Sequence, residues 1–488
     1  MRSLGTVGKQ CTFIDQQSNL VRVTVLSLDD FESRALDTLT TYAAIPCLSP
    51  MFDAQWNENG HIESAIQLLA AWARTRTLAR FDVAIQRLKG RTPVLVVTVD
   101  ATTSSTGTVV LYGHLDKQPP LGDWSDGLDP YVPVRRGNRV YARGVADDGY
   151  STFSALLALE ELERRAIGHA RCVVLIEASE ESGSPDLEFH LDALREHLGE
   201  VELMICLDSG ALTYDRLWVT TSLRGIVVAD VSVSVLTQGQ HSGSASGVVP
   251  SSFRILRQLV DRIEDATTGD IVLEELQSSI PLEHQEAARA IAVEFGDVIA
   301  RELPTLEGVK LMGESASDRI LRRNWAPTLS VTGMGGIPSP EVAGNVLRPF
   351  TRVVLSLRLP PNVDATIAAN AVVHALSTSV PSHAKVEVSV SAADGWLSPP
   401  LAPWLAEALE VASHEAFGRS PGFTGEGGSI PFLASLAKRY PHVQFVATGV
   451  LGPQSNAHGI DEMLDLPMAV GVTNAVATVV AAHARKEV

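Results

Sequence analysis

The amino-acid sequence predicts an α/β protein in which a mostly parallel sheet is interrupted by an inserted ferredoxin-like α+β unit. Three observations predict it. The 488 residues exceed what one hydrophobic core usually serves, so two domains are expected. Helical and strand patterns alternate from residue 30 to 210, as they do where parallel strands are joined by helical crossovers. Beyond about Leu217 the pattern changes to strands with one wet face, arranged in βαββαβ order.

The elements follow in chain order. Residues 1–29 read as a lead-in: Met1 to Asn19 is polar, carries Lys9 and Asp15, and lacks the apolar core of a signal peptide, so the folded body is expected to begin near Ser27. Ile62–Arg74 places Ile66, Leu69 and Ala70 at helical spacing. Short apolar runs at Val94–Val99, Thr108–Tyr112, Cys172–Ile176 and Leu203–Leu207 suit buried strands, with a helix expected over Thr152–Arg165. In Ile226–Val235, Val231, Val233 and Val235 face one side while Asp230, Ser232 and Ser234 face the other. A helix (Ser252–Glu264), strands (Thr328–Thr332, Thr351–Leu359), a second helix (Ala365–Leu376) and a strand (Lys385–Ser391) complete a split βαβ sandwich, with a helical insertion at about 266–326. Helix and strand alternation resumes at Trp396, and Gln444–Thr448 reads as the last core strand. The larger domain is therefore expected over 30–216 and 396–488, the inserted one over 217–395, with hinge crossings near 217 and 395.

Composition narrows the function. Hydrophobic residues make up 45% and charged residues 20%, an ordinary globular balance. A formal charge of −18 leaves no basic stripe for nucleic acid or an anionic membrane surface, and no apolar run approaches the roughly 20 residues needed to span a bilayer. Cys11, Cys47, Cys172 and Cys206 lie far apart without a CxxC pair, and Cys172 and Cys206 sit in apolar runs that suit buried free thiols. These features point to the cytoplasm.

Five segments place carboxylates or imidazoles after apolar strands or at helix starts: Tyr112-Gly-His-Leu-Asp116, Arg143-Gly-Val-Ala-Asp-Asp-Gly149, Glu177-Ala-Ser-Glu-Glu-Ser-Gly183, Leu207-Asp-Ser-Gly210 and Asn456-Ala-His-Gly459. Singly, each has a plainer reading, such as Asp147 and Asp148 acting as N-caps. Jointly, capping does not explain so many. In open α/β sheets ligands bind beyond the carboxyl ends of strands, where His114, Glu180, Glu181 and Asp208 would converge.

These ordered motifs resemble the co-catalytic zinc peptidase family that includes carnosine dipeptidases, carboxypeptidase G and aminoacylases. The resemblance runs from about residue 30 onward, through YGHLDKQP, RGVADDG, EASEESGS, QHSG and GEGGSIP, and is nearest to the carnosinase and cytosolic dipeptidase branch. It implies a catalytic domain with an inserted lid and dimerisation domain, and two divalent ions, Zn2+ first with Co2+ or Mn2+ able to substitute. One ion would be held by His114 and Asp208, the other by Glu181 and His458, with Asp147 bridging and a cis peptide between Asp147 and Asp148. Glu180 would be the general base and Asp116 would orient His114.

The resemblance further implies that His241 acts across a homodimer interface on the developing oxyanion. Arg358, Asn345, Gly427, Gly428 and Ser429 would bind the substrate, Arg358 as a carboxylate clamp. Two departures bear on the substrate: Gly425 stands where the family has Arg, and the usual AHSQNE reads Ala457-His-Gly-Ile-Asp-Glu462. The activity implied is hydrolysis of a dipeptide or small peptide with a free carboxylate. An N-acyl amino acid amidohydrolase on the same site and a non-catalytic binding protein of this fold are the alternatives.

Overall fold

A computed structural model describes residues 26–105, 107–428 and 431–486. The lead-in over Met1–Asn19, Cys11 and Ser429 lie outside the described residues. Ser27 begins the described fold as a helix cap, its hydroxyl accepting from the Asp30 N–H at 3.1 Å ahead of the helix Leu28–Phe31.

Among the described residues the larger sheet has nine strands. At its centre Arg171–Glu177, Thr108–His114, Val201–Cys206 and Gln444–Ala447 lie side by side and parallel. These strands are buried along nearly their whole length, which explains their continuous Val, Leu and Ile runs. One flank is antiparallel: Val94–Val99 pairs with Arg171–Glu177 on one side and with Phe81–Gln86 on the other. Helix Ser151–Arg164 packs against Leu466–His483, which in turn packs against Pro403–Phe417. Leu466–His483 is long and apolar enough to cross a membrane, yet 94% of it is buried inside the fold.

The smaller sheet runs Thr328–Gly335, Phe350–Leu359, Gly225–Ser234, Lys385–Ala393, antiparallel throughout. That strand order is the ferredoxin-like one. Val227, Ala229, Val231 and Val233 join Val353, Leu355 and Leu357 beneath the helices Ser252–Val260 and Ala365–Ser377. The alternation seen in the sequence is thus the two faces of this sheet, one covered and one wet.

Two boundaries differ from expectation. Trp218–Leu223 belongs to the larger sheet, pairing with Gly422–Glu426 and Trp396–Leu397, so the first crossing lies at Arg224–Gly225 rather than near 217. The second lies beside it at Gly395. A Cβ on Gly225 would stand 2.8 Å from the Gly395 nitrogen, and one on Gly395 would stand 2.8 Å from the Leu223 carbonyl oxygen. Glycine is what lets the two strands cross in contact. The helical insertion also belongs elsewhere than with the small sheet. Ala288, Ile291, Val298, Ile299 and Ile320 are buried in the larger core, and the helices Leu282–Phe295 and Ala316–Asn324 pack against Gly422–Glu426.

Candidate metal centre

The sheet topology delivers the carboxylates and imidazoles to one place. His114 ends the strand Thr108–His114, in register with Glu177; Glu180 and Glu181 open the short turn after Arg171–Glu177; Asp208 follows Val201–Cys206. These strands are neighbours, so their carboxyl ends form one edge. Asp147 comes from the loop ahead of helix Ser151–Arg164, and His458 from the segment between Gln444–Ala447 and Met463–Asp465. The peptide bond between Asp147 and Asp148 is cis. Gly113 admits this loop: a Cβ there would stand 2.5 Å from the Asp148 carboxylate and 2.2 Å from the Ser151 hydroxyl.

Two groups of potential ligands result, His114 with Asp147 and Asp208, and Asp147 with Glu181 and His458. Asp147 belongs to both. Its Oδ1 lies 3.2 Å from His114 Nε2 and its Oδ2 lies 3.0 Å from His458 Nε2. Asp208 Oδ2 is 3.7 Å from His114 Nε2, and Glu181 Oε2 is 3.2 Å from His458 Nε2. Each carboxylate oxygen of Asp147 therefore faces a different imidazole, the arrangement a bridging ligand needs.

Charge within the cluster is unbalanced. Burial and the nearby acids push Asp208 up to about 7, and burial with the Asp208 charge raises Glu180 well above the carboxylate range. Burial opposes protonation of His458, but Asp147 and Glu181 hold it at about 11. His114 is raised against its burial by Asp116 and Asp147, and Asp147 is held low against its own burial by His114 and His458. Such packed acids want more positive charge than two imidazoles supply. The donor set of imidazole nitrogen and carboxylate oxygen, without thiolate, fits a divalent metal.

Asp116 touches both His114 and the turn that follows the neighbouring strand. The nearest acceptor for His114 Nδ1 is the backbone carbonyl of Asp116 at 3.0 Å, with the Asp116 carboxylate at 3.6 Å. That carboxylate also accepts from the N–H groups of Glu180 (3.1 Å) and Glu181 (3.0 Å). Asp116 thus ties the His114 strand end to the turn that carries Glu180 and Glu181.

Glu462, which sequence reasoning passed over, does the same for Asp147. It is fully buried, and its carboxylate accepts from Arg143 Nη1 (2.7 Å) and from the N–H groups of Gly144 (2.9 Å), Ala146 (3.1 Å) and Asp147 (3.2 Å). Arg143 Nη2 donates to the Gly459 carbonyl at 2.5 Å, beside His458. One buried ion pair therefore fixes the loops of both Asp147 and His458. The only signal in the sequence was the acid that closes Ala457-His-Gly-Ile-Asp-Glu462.

The substrate residues are more dispersed. Gly427 and Gly428 form a turn after Gly422–Glu426, held by Arg224, whose Nε donates to the Gly427 carbonyl and whose N–H donates to the Gly428 carbonyl, both at 3.0 Å. Burial and the neighbouring Arg358 and Arg323 cations pull Arg224 down to about 10, so three guanidiniums meet near this turn. Arg358 lies half-buried on the small sheet, opposite Thr328. His241 and Asn345 are not brought to the metal cluster. Both are exposed, next to the short ladder that pairs Gln240–His241 with Val346–Leu347, and Ser242 N–H donates to the Asn345 carbonyl. Where an arginine stands in the family, Gly425 leaves no room: a Cβ would meet the Ser222 hydroxyl at 2.4 Å and Asn324 at 3.3 Å.

Comparison with known proteins agrees with this geometry. The chain is 28% identical over 363 residues to a cysteinylglycine-S-conjugate dipeptidase of Corynebacterium striatum, covering 73% of this chain and 77% of that protein. It is 25% identical over 401 residues to the Cys-Gly metallodipeptidase dug1 of Schizosaccharomyces pombe, covering 79% and 82%. Its fold matches that of the dipeptidase Dug1p of Saccharomyces cerevisiae with a TM-score of 0.76 at 21% identity, over 94% of this chain and 98% of that one. Residues 110–482 match Peptidase family M20/M25/M40, and the chain belongs to that family.

Proposed function

We propose that the protein is a dipeptidase that hydrolyses the amide bond of a small peptide with a free carboxylate, using two divalent ions, Zn2+ in first place. The observation that carries this reading is Asp147, shared by both ligand groups, with Glu180 half-buried beside them. The names of the relatives, cysteinylglycine-S-conjugate dipeptidase and Cys-Gly metallodipeptidase, support a dipeptide substrate. In this reading His114 and Asp208 would hold one ion and Glu181 and His458 the other, with Asp147 available to both. Bound there, such ions lower the pKa of water and polarise a carbonyl.

The remaining steps belong to the chain. Glu180 takes the proton of the attacking water and returns it to the departing nitrogen. Asp116 keeps the Glu180–Glu181 turn against the His114 strand through the two N–H bonds it accepts. Arg358, Gly427, Gly428 and Ser429 hold the substrate carboxylate, and Asn345 helps bind the carbonyl or the carboxylate. His241, exposed and in neither ligand group of its own chain, reaches the centre of a partner protomer, so the active unit is a homodimer. The small domain acts as lid, hinged at its two crossings. Three buried free thiols, Cys47, Cys172 and Cys206, agree with a cytoplasmic location.

The test is hydrolysis of dipeptides by the metal-replete protein, beside Glu180→Gln. The variant is expected to lose activity by at least about 10²–10⁴-fold with metal content unchanged. A wild type that binds metal and cleaves no dipeptide refutes the reading.

A further inference from the structure

The turn that carries Glu180 and Glu181 is closed by two serines. The Ser184 N–H donates to the Ser179 carbonyl at 3.0 Å, and Ser184 takes a left-handed backbone, φ 53°, to complete the loop. Both serine side chains turn to one group. The Ser179 hydroxyl donates to Glu177 Oε2 at 3.2 Å, and the Ser184 hydroxyl donates to Glu177 Oε1 at 2.8 Å. From the neighbouring strand, the Tyr112 hydroxyl donates to the same Oε1 at 2.5 Å.

Glu177 is 1% exposed and forms no ion pair with a lysine or arginine among the described residues. Burying a carboxylate is costly unless its oxygens are satisfied. The residues before it, Cys172 to Ile176, are apolar and buried, so an apolar side chain would fill this strand end at less cost. What the carboxylate adds is acceptor capacity. It has no donor of its own, so three hydroxyls can point at it together; a glutamine offers one acceptor oxygen and turns N–H groups on the rest.

The two acids on the turn depend on it unequally. The Glu181 carboxylate has its own donor, the Gln118 amide at 2.8 Å. The Glu180 carboxylate accepts no hydrogen bond among the described residues, so its place is set by the backbone beneath it. That backbone is gripped twice: Asp116 accepts the N–H groups of Glu180 and Glu181, and Glu177 takes the hydroxyls that flank them.

We propose that Glu177 is a positioning residue for Glu180: by holding Ser179 and Ser184, one before and one after the two acids, it sets where the Glu180 carboxylate meets the attacking water. The inference rests on the hydrolase reading above, in which Glu180 is the general base.

The experiment measures kcat, KM and bound metal with alanylglycine for the metal-replete wild type, Glu177→Gln and Ser184→Ala, each also in the Glu180→Gln background, where rates are read in single turnovers at enzyme excess. Misplacing a reacting group by about 1 Å costs on the order of 100-fold, so E177Q is expected to lower kcat at least about tenfold and S184A about threefold, with KM and metal content unchanged. In the E180Q background no base remains to be placed, and neither change is expected to lower the residual rate by more than about twofold. A role in the fold alone would cost the same factor in both backgrounds, and that outcome overturns the inference. Wild-type kcat in E177Q, or a loss that follows bound metal, overturns it too; all three leave the hydrolase reading standing. S184A carries the same comparison if E177Q does not fold. A metal-loaded wild type that cleaves no dipeptide, or an E180Q as active as wild type, overturns the reading on which the inference rests.

Discussion

His483 shows what burial does to a single residue. Its side chain is fully enclosed near the end of the last helix, with Glu202 3.0 Å from Nε2. Burial and the Lys486 charge outweigh that carboxylate and lower its pKa to about 4 from 6.5. The unfolded chain therefore takes up this proton first as pH falls. The stability from the neutral imidazole is complete above about 6.5 and is lost towards 4, by up to about 3 kcal/mol. Denaturant melts between pH 7 and 4 should show a steeper loss for wild type than for His483→Gln; parallel curves would contradict this. Residues that act through their own side chains were the ones legible in the sequence. His114, Glu181 and Asp208 each follow an apolar run that announces a strand end. Glu462 was not legible, because it works by accepting backbone N–H groups, which leave no side-chain pattern.

At the scale of elements, the helix Asp37–Ala43 ends on a buried lysine. The Lys117 ammonium, without solvent exposure, donates to the carbonyls of Tyr42 (3.1 Å), Ala43 (2.9 Å) and Ile45 (2.9 Å). It adds a charged donor to the carbonyls at the helix end, two of which also accept backbone N–H groups, and complements the negative end of the helix dipole. Lys117→Met keeps most of the volume and removes the donors, so a loss of about 3 kcal/mol is expected in a urea melt; a loss below about 1 kcal/mol would mean that the cap is dispensable. Periodicity identified the central strands and both helices of the small domain. It could not say which core an apolar stripe joins, and so the helices of 282–325 were assigned to the wrong neighbour. Trp218–Leu223 was misplaced for a related reason: only Arg224 separates it from Gly225–Ser234, and no turn signal marks the change of sheet.

For the whole molecule, the paired crossings at Gly225 and Gly395 make the small sheet a unit attached at one point. A homodimer through this unit predicts a solution mass of two chains and a lower kcat for His241→Ala with metal content intact. A one-chain mass with full activity of H241A would contradict the dimer. The strand ends bring together two potential ligand groups that share Asp147, on which the proposed two-cation site rests. Calorimetric titration of metal-free protein with Zn2+ tests it most directly. The wild type should bind two ions per chain, and Asp147→Asn should weaken both sites together because both ligand groups contain that residue. A single ion in the wild type, or two ions bound with undiminished affinity in D147N, would contradict the account.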